Sequence, residues 1–355
     1  MINHFFRYEP FKPSSFVCQP AAALLSFGDG QVEVFSQNSK CNQQLFKFLK
    51  FPLTGHTIDL LDNQLLIIGD QTLGARWQYI IIHNPRNGLL APTYSEEVSP
   101  IKGSPHKHNS FTMGNKLVVI GGDQKAKAIL DTDIWNKLNL RWKNQSTFSL
   151  FTSSACKVKI TKDSHLIIGG ILKEKHQVLS TILKINLTDE TVEEWLPMKK
   201  SRYHHSCELM NGSYVVLISG GIEKSVSPNT SNAILPDELY NIWSKESVLL
   251  AATSSINRYQ HRLIRLQDTV FSVGGKNYLG SPMTLIKRFN SNTNSWEDNG
   301  EHTISKHTGE VSVTAFPLAA VDCVAGCKCG VSRVNTASRI TNGTEAKVTL
   351  TFFST

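Results

Sequence analysis

Histidines recur along the chain with a period of roughly 50 residues, and imidazole is a common ligand of transition metals. They are His56, His108, His205, His261 and His307. Each stands at the start of a predicted inner strand, so the five are expected near one mouth of a shared channel. Because such strands are spread around an axis, three rings are not expected to meet one zinc ion at about 2.1 Å. We therefore predict a packing role for the histidines, with no metal and no cofactor.

Two arginines precede repeat histidines by three positions, and each is followed by a tyrosine. They form the pairs Arg202-Tyr203 and Arg258-Tyr259. A guanidinium group binds a carboxylate through two parallel hydrogen bonds. This pattern predicts partner-binding side chains at the channel mouth that contact an acidic protein; the alternative is a pair of solvated surface arginines.

The seven cysteines fall into two groups, four single residues and one C-terminal cluster. Cys156 and Cys207 lie in predicted inner strands of consecutive units, where we expect buried free thiols that pack as small apolar side chains. Cys18 and Cys41 flank the first predicted strands and could form a disulfide in an exported protein. The cluster comprises Cys323, Cys327 and Cys329.

The elements that position these residues are apolar runs that end in two glycines. The glycine pairs are Gly121-Gly122, Gly169-Gly170, Gly220-Gly221 and Gly274-Gly275, and a fifth run ends in Gly69-Asp70. Each run predicts a buried strand that the glycines end at a sharp turn. A tryptophan follows each pair, at Trp142, Trp195, Trp243 and Trp296. We expect these rings to fill the wedges between neighbouring sheets.

The period and its landmarks resemble the Kelch-repeat family. The landmarks are the glycine pair, the downstream tryptophan and a leading Arg-x-x-His, with Cys156 taking the histidine's place in one unit. The resemblance implies β-propeller blades of four antiparallel strands and a binding function carried by loops. Copper chemistry is also found on such propellers, but no convincing set of His and Tyr ligands stands out, so we predict no enzyme activity.

The two ends of the repeat region complement each other. Residues 21–27 predict a strand that stops at glycine, with the first strand of its unit missing, whereas residues 307–316 form a spare strand. The prediction is an all-β, six-bladed β-propeller closed by a C-terminal strand that completes the first blade. Such closure removes the unpaired sheet edge. The propeller spans residues 21–317, after an N-terminal extension of residues 1–20.

Residues 318–355 form a cysteine-containing tail that resembles the activation junction of trypsin-like serine protease zymogens. A Cys-Gly segment precedes Arg339-Ile340, the cleavage junction that the resemblance implies, but Thr341-Asn342 stands where that family usually has Val-Gly. Only 16 residues follow Arg339, too few for a catalytic domain. Two interpretations stay open: an accessory region of a protease precursor, or a poorly ordered extension with chance similarity.

Charge and hydropathy argue against some classes of binding partner. The net charge of +8 is scattered along the chain, which argues against nucleic acid, and no apolar run is long enough to span a membrane. Residues 1–20 do not read as a signal peptide, yet an extracellular setting is preferred over a cytoplasmic one. Glycosylation sequons occur at Asn144, Asn186, Asn211, Asn229 and Asn342. We predict a protein partner, in preference to a glycan, at loops 123–128, 222–232 and 276–281.

Overall fold

The computed structural model describes most of the predicted strands and the loops of the C-terminal half. The described residues are 22–27, 31–36, 43–47, 55–61, 64–68, 77–83, 91–97, 107–113, 116–122, 126–131, 142–143, 152–186, 188–189, 191–210, 214–223, 234–304 and 311–316. The helical segments within them are two single 3₁₀ turns, Lys173–Lys175 and Ala252–Ser254. No helix of the described part is long and apolar enough to cross a membrane. The prediction of an all-β chain is confirmed.

Six four-stranded antiparallel sheets form within the described residues. Sheet 1 contains β1 (Ala22–Phe27), β2 (Gln31–Ser36), β3 (Gln43–Lys47) and β26 (Val311–Phe316). Sheet 2 contains β4 (Thr57–Leu61), β5 (Gln64–Ile68), β6 (Trp77–His83) and β7 (Ala91–Glu97). Sheet 3 contains β8 (Asn109–Met113), β9 (Lys116–Gly121), β10 (Ala126–Asp131) and β11 (Trp142–Lys143).

The other three sheets repeat this pattern. Sheet 4 contains β12 (Cys156–Lys159), β13 (Ser164–Ile168), β16 (Ile182–Asn186) and β17 (Thr191–Trp195). A two-stranded ribbon of β14 (Ile171–Leu172) and β15 (Gln177–Val178) interrupts it. Sheet 5 contains β18 (Ser206–Leu209), β19 (Val215–Ser219), β20 (Glu238–Asn241) and β21 (Glu246–Leu249). Sheet 6 contains β22 (Arg262–Leu266), β23 (Thr269–Val273), β24 (Leu285–Asn290) and β25 (Ser295–Thr303).

Sheet 1 joins the two ends of the described chain. Its strand order is β26-β1-β2-β3, and β26 pairs with β1 from Ala22 opposite Phe316 to Phe27 opposite Val311. In the other five sheets the strands keep sequence order apart from the β14–β15 ribbon. A strand from the C-terminal side therefore completes the N-terminal sheet, as the sequence predicted.

The core lies between successive sheets. The second strands of sheets 4 and 5 are buried along their whole length, because a neighbouring sheet covers each face. Sheets 6 and 1 meet through the rings of Phe271 and Phe35, whose centroids are 5.1 Å apart. Sheets 1 and 2 meet where the Ser312 hydroxyl donates to the carbonyl oxygen of His56 at 2.5 Å. This arrangement is compatible with a β-propeller-like fold.

The glycine pairs are required by close contact with the next sheet. Gly220 and Gly221 have φ values of 59° and 84°, a region that favours glycine. A Cβ on Gly220 would lie 2.9 Å from the ring of His261, and one on Gly221 would lie 2.7 Å from the Cβ of His205. The first glycine thus packs on the histidine of the following unit and the second on that of its own. This contact gives both landmarks of the repeat a packing role.

The hairpin register corrects one sequence assignment. Cys156 pairs with Ile168, the last residue of β13, just as Asn109 pairs with Ile120 in sheet 3. The residue equivalent to His108 is therefore Ala155, and its Cβ is the contact of Gly170. Counting a fixed thirteen positions back from glycine was wrong here, because the hairpin of sheet 4 is longer by one residue.

Candidate functional site

A series of backbone hydrogen bonds links successive sheets at one end of the cavity that their first strands line. Five residues, each just before the histidine position, have φ values between 57° and 61°: Gly55, Lys107, Ser154, His204 and Gln260. Each of the last four donates its N–H to the carbonyl oxygen of the preceding member, at 2.8–3.1 Å. We call these five residues the mouth ring. It fixes the spacing of sheets 2 to 6 at this face.

The side chains at the mouth ring line a small pocket that carries positive charge. Its lining residues are Lys107, His108, Ser154, Ala155, His204, Gln260 and Arg262. Lys107 and Arg262 supply two cationic groups, and none of the described residues that line this pocket is a carboxylate. The mouth pocket therefore favours a negatively charged ligand group.

A central cavity of about 220 Å³ lies next to the mouth pocket, and His108, Ala155 and Arg262 line both. Its walls come from β4, β8, β12, β18, β22 and β26, the first strand of each unit. On one wall the Lys157 ammonium lies 3.0 Å from Asp59 and also contacts Ser110. This chain links sheets 2, 3 and 4.

Two carboxyl groups that line the cavity have raised pKa values. Burial raises the pKa of Asp59 above its usual range, although the Lys157 charge and the Ser110 hydroxyl act in the opposite direction. Burial also raises the pKa of Glu208 to about 7, against the opposing charge of Arg265. Both carboxyl groups of the cavity therefore hold a proton more readily than they would in water.

A hydrogen-bonded loop with two large exposed side chains lies beside the mouth ring. Lys276 and Tyr259 exchange two backbone hydrogen bonds of 2.8 and 3.0 Å, which places the loop's base next to Gln260. The Asn277 side-chain oxygen accepts the backbone N–H groups of Leu279 and Ser281 at 3.0 and 2.9 Å. We call residues 277–281 the tip loop.

The tip loop presents its large side chains to solvent. Tyr278 is 56% exposed and Leu279 is 69% exposed. Gly280, with a φ of 80°, closes the turn by donating its N–H to the Asn277 carbonyl at 2.9 Å. A tip held by its own backbone loses little conformational entropy when a partner binds.

Arg202 is buried, which contradicts its predicted role as a surface contact. Its side chain is 0% exposed and lies 3.0 Å from Glu238, which is also 0% exposed. The guanidinium group also donates to the carbonyl oxygens of Gly220 and Pro236, at 2.8 and 3.0 Å. Arg202 therefore ties the glycine turn of sheet 5 to β20 and is not available to a partner.

Arg258 has the same structural role one sheet later. It is 0% exposed and donates to the carbonyl oxygens of Gly274 and Leu285 at 3.3 and 2.6 Å. Burial lowers the pKa of Arg258 to about 10. Tyr203 and Tyr259 are 9% and 8% exposed and belong to one apolar cluster. None of the four predicted partner-binding residues offers a free surface.

The four described repeat histidines are buried. His56, His108, His205 and His261 are at most 4% exposed. His261 lies 3.2 Å from the Ser219 hydroxyl, and His108 lies 2.8 Å from the Thr57 hydroxyl. Burial lowers the pKa of His205 and of His261 well below 6.5. No group of three metal-ligating side chains occurs in the described part of the chain.

The tryptophans do not share one environment. Trp195 is buried in the cluster that sheets 4 and 5 share, and the Trp296 indole donates to Asp237 of sheet 5 at 2.6 Å. Trp243 is 70% exposed and packs edge-on against Tyr214, so the expectation of a wedge-filling ring is wrong there. Trp142 lies in β11.

Cys156 and Cys207 form a disulfide, which corrects the prediction of free thiols. Their Cα atoms are 5.8 Å apart, and the bond joins β12 to β18 across the wall of the central cavity. The two cysteines are one position out of register between repeats, since Cys156 is equivalent to Ser206. That offset concealed the pairing in the sequence.

Several predicted features lie outside the described residues. They are residues 1–20 and 318–355, the junction Arg339-Ile340, His307, the other five cysteines, loop 123–125 and most of loop 222–232.

Sequence reasoning also missed Lys107, His204 and Arg262 as mouth residues. The sequence feature that could have identified them is their position directly beside a repeat histidine.

Comparisons with known proteins concern the fold. No family model matches the chain, and no curated protein matches it. Matching solved structures number 432 chains. One of them, YjhT, superposes with a TM-score of 0.61 at 11% sequence identity, covering 81% of this chain and 98% of YjhT. The likeness is one of fold.

Proposed function

We propose that the six sheets close into a six-bladed Kelch-type β-propeller that acts as a non-enzymatic protein-binding module. Contacts between successive sheets, and between sheet 6 and sheet 1, support the closure. The packing of glycine pairs on histidines supports the Kelch assignment. The binding site in this proposal is the face that carries the mouth ring.

The observation that carries the proposal is a hydrogen-bonded loop with an exposed apolar tip beside a cationic pocket. Lys107 and Arg262 offer charge for carboxylates, and Tyr278 and Leu279 offer apolar area on a preorganised loop. Tyrosine and arginine are enriched among the residues that contribute most of the binding energy of protein interfaces. The partner is therefore an acidic protein segment that also carries an apolar side chain, a better match to this face than a neutral glycan.

Fluorescence anisotropy with a labelled glutamate-rich peptide containing one central leucine tests this proposal. Arg262→Gln and the double change Tyr278→Ser/Leu279→Ser should each weaken binding about tenfold, equivalent to about 1.4 kcal/mol. Arg288→Gln is the matched control, because Arg288 is a half-exposed arginine on β24. It should leave the affinity unchanged.

Two results would count against the proposal. One is equal binding of the glutamate peptide and of a peptide with glutamine at the same positions. The other is equal loss in the Arg262 and Arg288 variants, which would mean that the peptide responds to net charge and not to the mouth pocket.

The second function proposed from the sequence, an accessory region of a trypsin-like protease precursor, depends on the tail. The disulfide favours an oxidising compartment, which suits that class of protein. A transcript that encodes a catalytic serine, histidine and aspartate beyond Ala346 would decide for it.

A further inference from the structure

The hairpin between β16 and β17 carries a glycosylation sequon at its turn. Asn186 is the last residue of β16, and Thr188 stands two positions later. Of the five sequons, this is the one whose asparagine and hydroxyl residue both lie in the described chain. Asn-x-Thr is the acceptor sequence for N-linked glycans in the secretory pathway.

The turn presents the asparagine at the surface. Thr188 and Asp189 are exposed, and Asn186 is partly exposed. The Asn186 side-chain oxygen Oδ1 accepts the backbone N–H of Thr188 at 2.9 Å, and the Nδ2 amide group donates to the Asp189 carboxylate at 2.7 Å. Both hydrogen bonds are solvent-exposed, so a transferase can replace them at low cost.

The same turn recurs in two other sheets without the hydroxyl residue. Asn241 and Asn290 end the third strands of sheets 5 and 6, and each accepts the N–H of the residue two positions later, at 2.8 and 3.0 Å. That residue is Trp243 in one turn and Asn292 in the other. The repeat therefore explains the asparagine as a turn residue, but it does not explain the threonine.

The disulfide indicates the compartment in which the chain matures. A Cys156–Cys207 bond persists in the secretory route and on the cell surface, whereas the cytosol keeps such pairs reduced. A chain that acquires this bond in the endoplasmic reticulum meets the glycosylation machinery there.

The location leaves the proposed binding face free. Ile182, the first residue of β16, pairs with Ile168 beside the glycine pair, whereas Asn186 pairs with Ser164 at the opposite end of the sheet. The glycine end is the mouth-ring end. A glycan on Asn186 therefore projects from the other face.

We propose that Asn186 carries an N-linked glycan. The donor is a lipid pyrophosphate-linked oligosaccharide. A bond forms between Asn186 Nδ2 and the anomeric carbon of the first sugar, the bond from that carbon to the pyrophosphate oxygen breaks, and lipid pyrophosphate leaves. The amide loses one proton to a base of the transferase, and no oxidation occurs.

Peptide mass spectrometry of the full chain isolated from its native cells tests the proposal. Release of glycans by an amidase in heavy-oxygen water should convert Asn186 to labelled aspartate, while Asn241 and Asn290 stay unlabelled. Thr188→Ala should abolish the modification and Thr188→Ser should retain it, although both keep the backbone turn.

A second variant adds a sequon to the equivalent turn of sheet 5. Trp243→Thr creates a sequon at Asn241, and the exposed position tolerates the change, so a second glycan should appear. An unmodified Asn186 in native protein overturns the proposal, whether the Cys156–Cys207 bond is formed or reduced. Modification that persists in Thr188→Ala also overturns it.

Discussion

Buried charge is the main feature at the scale of single residues. Arg202 and Glu238 are fully enclosed, and Glu238 also accepts the backbone N–H of Lys199 at 2.6 Å. Every charged oxygen of this carboxylate therefore has a donor. A buried pair of this kind is costly to break, because the remaining charge has no water around it.

Glu238→Gln should lower the free energy of unfolding by about 3–5 kcal/mol, since it leaves the Arg202 charge uncompensated in the core. Urea unfolding followed by tryptophan fluorescence measures the change. Glu297→Gln is the control, because Glu297 pairs with Arg288 at the surface, and it should have little effect. Equal effects of the two changes would contradict a structural role for the buried pair.

Glu208 should make stability depend on pH. Its pKa is raised from 4.5 to about 7 in the folded chain, so the folded state binds more protons than the unfolded state between these values. Stability should therefore fall as pH rises from about 4.5 to 7.

Glu208→Gln removes this dependence, so its advantage over the natural chain should grow between pH 5 and 8. Urea midpoints across that interval measure it. The charged groups around the site, Arg265, Arg262, Lys157 and Asp59, are unchanged in the variant. A difference that is constant with pH would show that Glu208 keeps its ordinary pKa.

At the scale of elements, neighbouring first strands are joined by side chains and not by a ladder of backbone pairs. The disulfide between β12 and β18 is the covalent example, and the Asp59–Ser110–Lys157 chain is the polar one. These links hold the sheets together along the wall of the central cavity.

Replacing Cys156 and Cys207 with serine should cost about 4 kcal/mol, because the bond closes a loop with a sequence separation of 51. Urea unfolding of the natural chain with and without a dithiol reductant measures the same quantity. The serine variant should not respond to the reductant. Unchanged stability on reduction would contradict the disulfide.

At the scale of the whole molecule, β26 joins the C-terminal side of the described chain to the N-terminal sheet. It pairs with β1 over six residues, and Val311 packs in the cluster that contains Phe35 and Phe271. Without it, β1 would present an unpaired edge and this cluster would be open to water.

A chain that ends at Ile304 should therefore lose its cooperative thermal transition, whereas one that ends at Pro317 should keep it. Val311→Asp in the full chain should lower the midpoint by burying a charge. Calorimetry measures the thermal transition of the two shortened chains and of the Val311→Asp variant. An unchanged transition in the shorter chain would show that sheet 1 is stable without its C-terminal strand.

The sequence by itself determined the strands, the glycine turns and the pairing of the two ends. Each of these depends on local pattern: apolar runs, a residue without a Cβ, and a missing strand matched by a spare one. The mouth position of His204 and Gln260 could also have been derived, since each immediately precedes a repeat histidine.

Only the tertiary structure decided which polar groups are buried and which are free. Arg202 and Lys107 are both cationic residues near a repeat histidine, yet one lies against a carboxylate of its own sheet and the other lines the mouth. The disulfide likewise depends on two adjacent sheets whose registers differ by one residue. Such outcomes depend on neighbours far apart in the chain, and a repeat pattern specifies spacing within a unit but not the contacts between units.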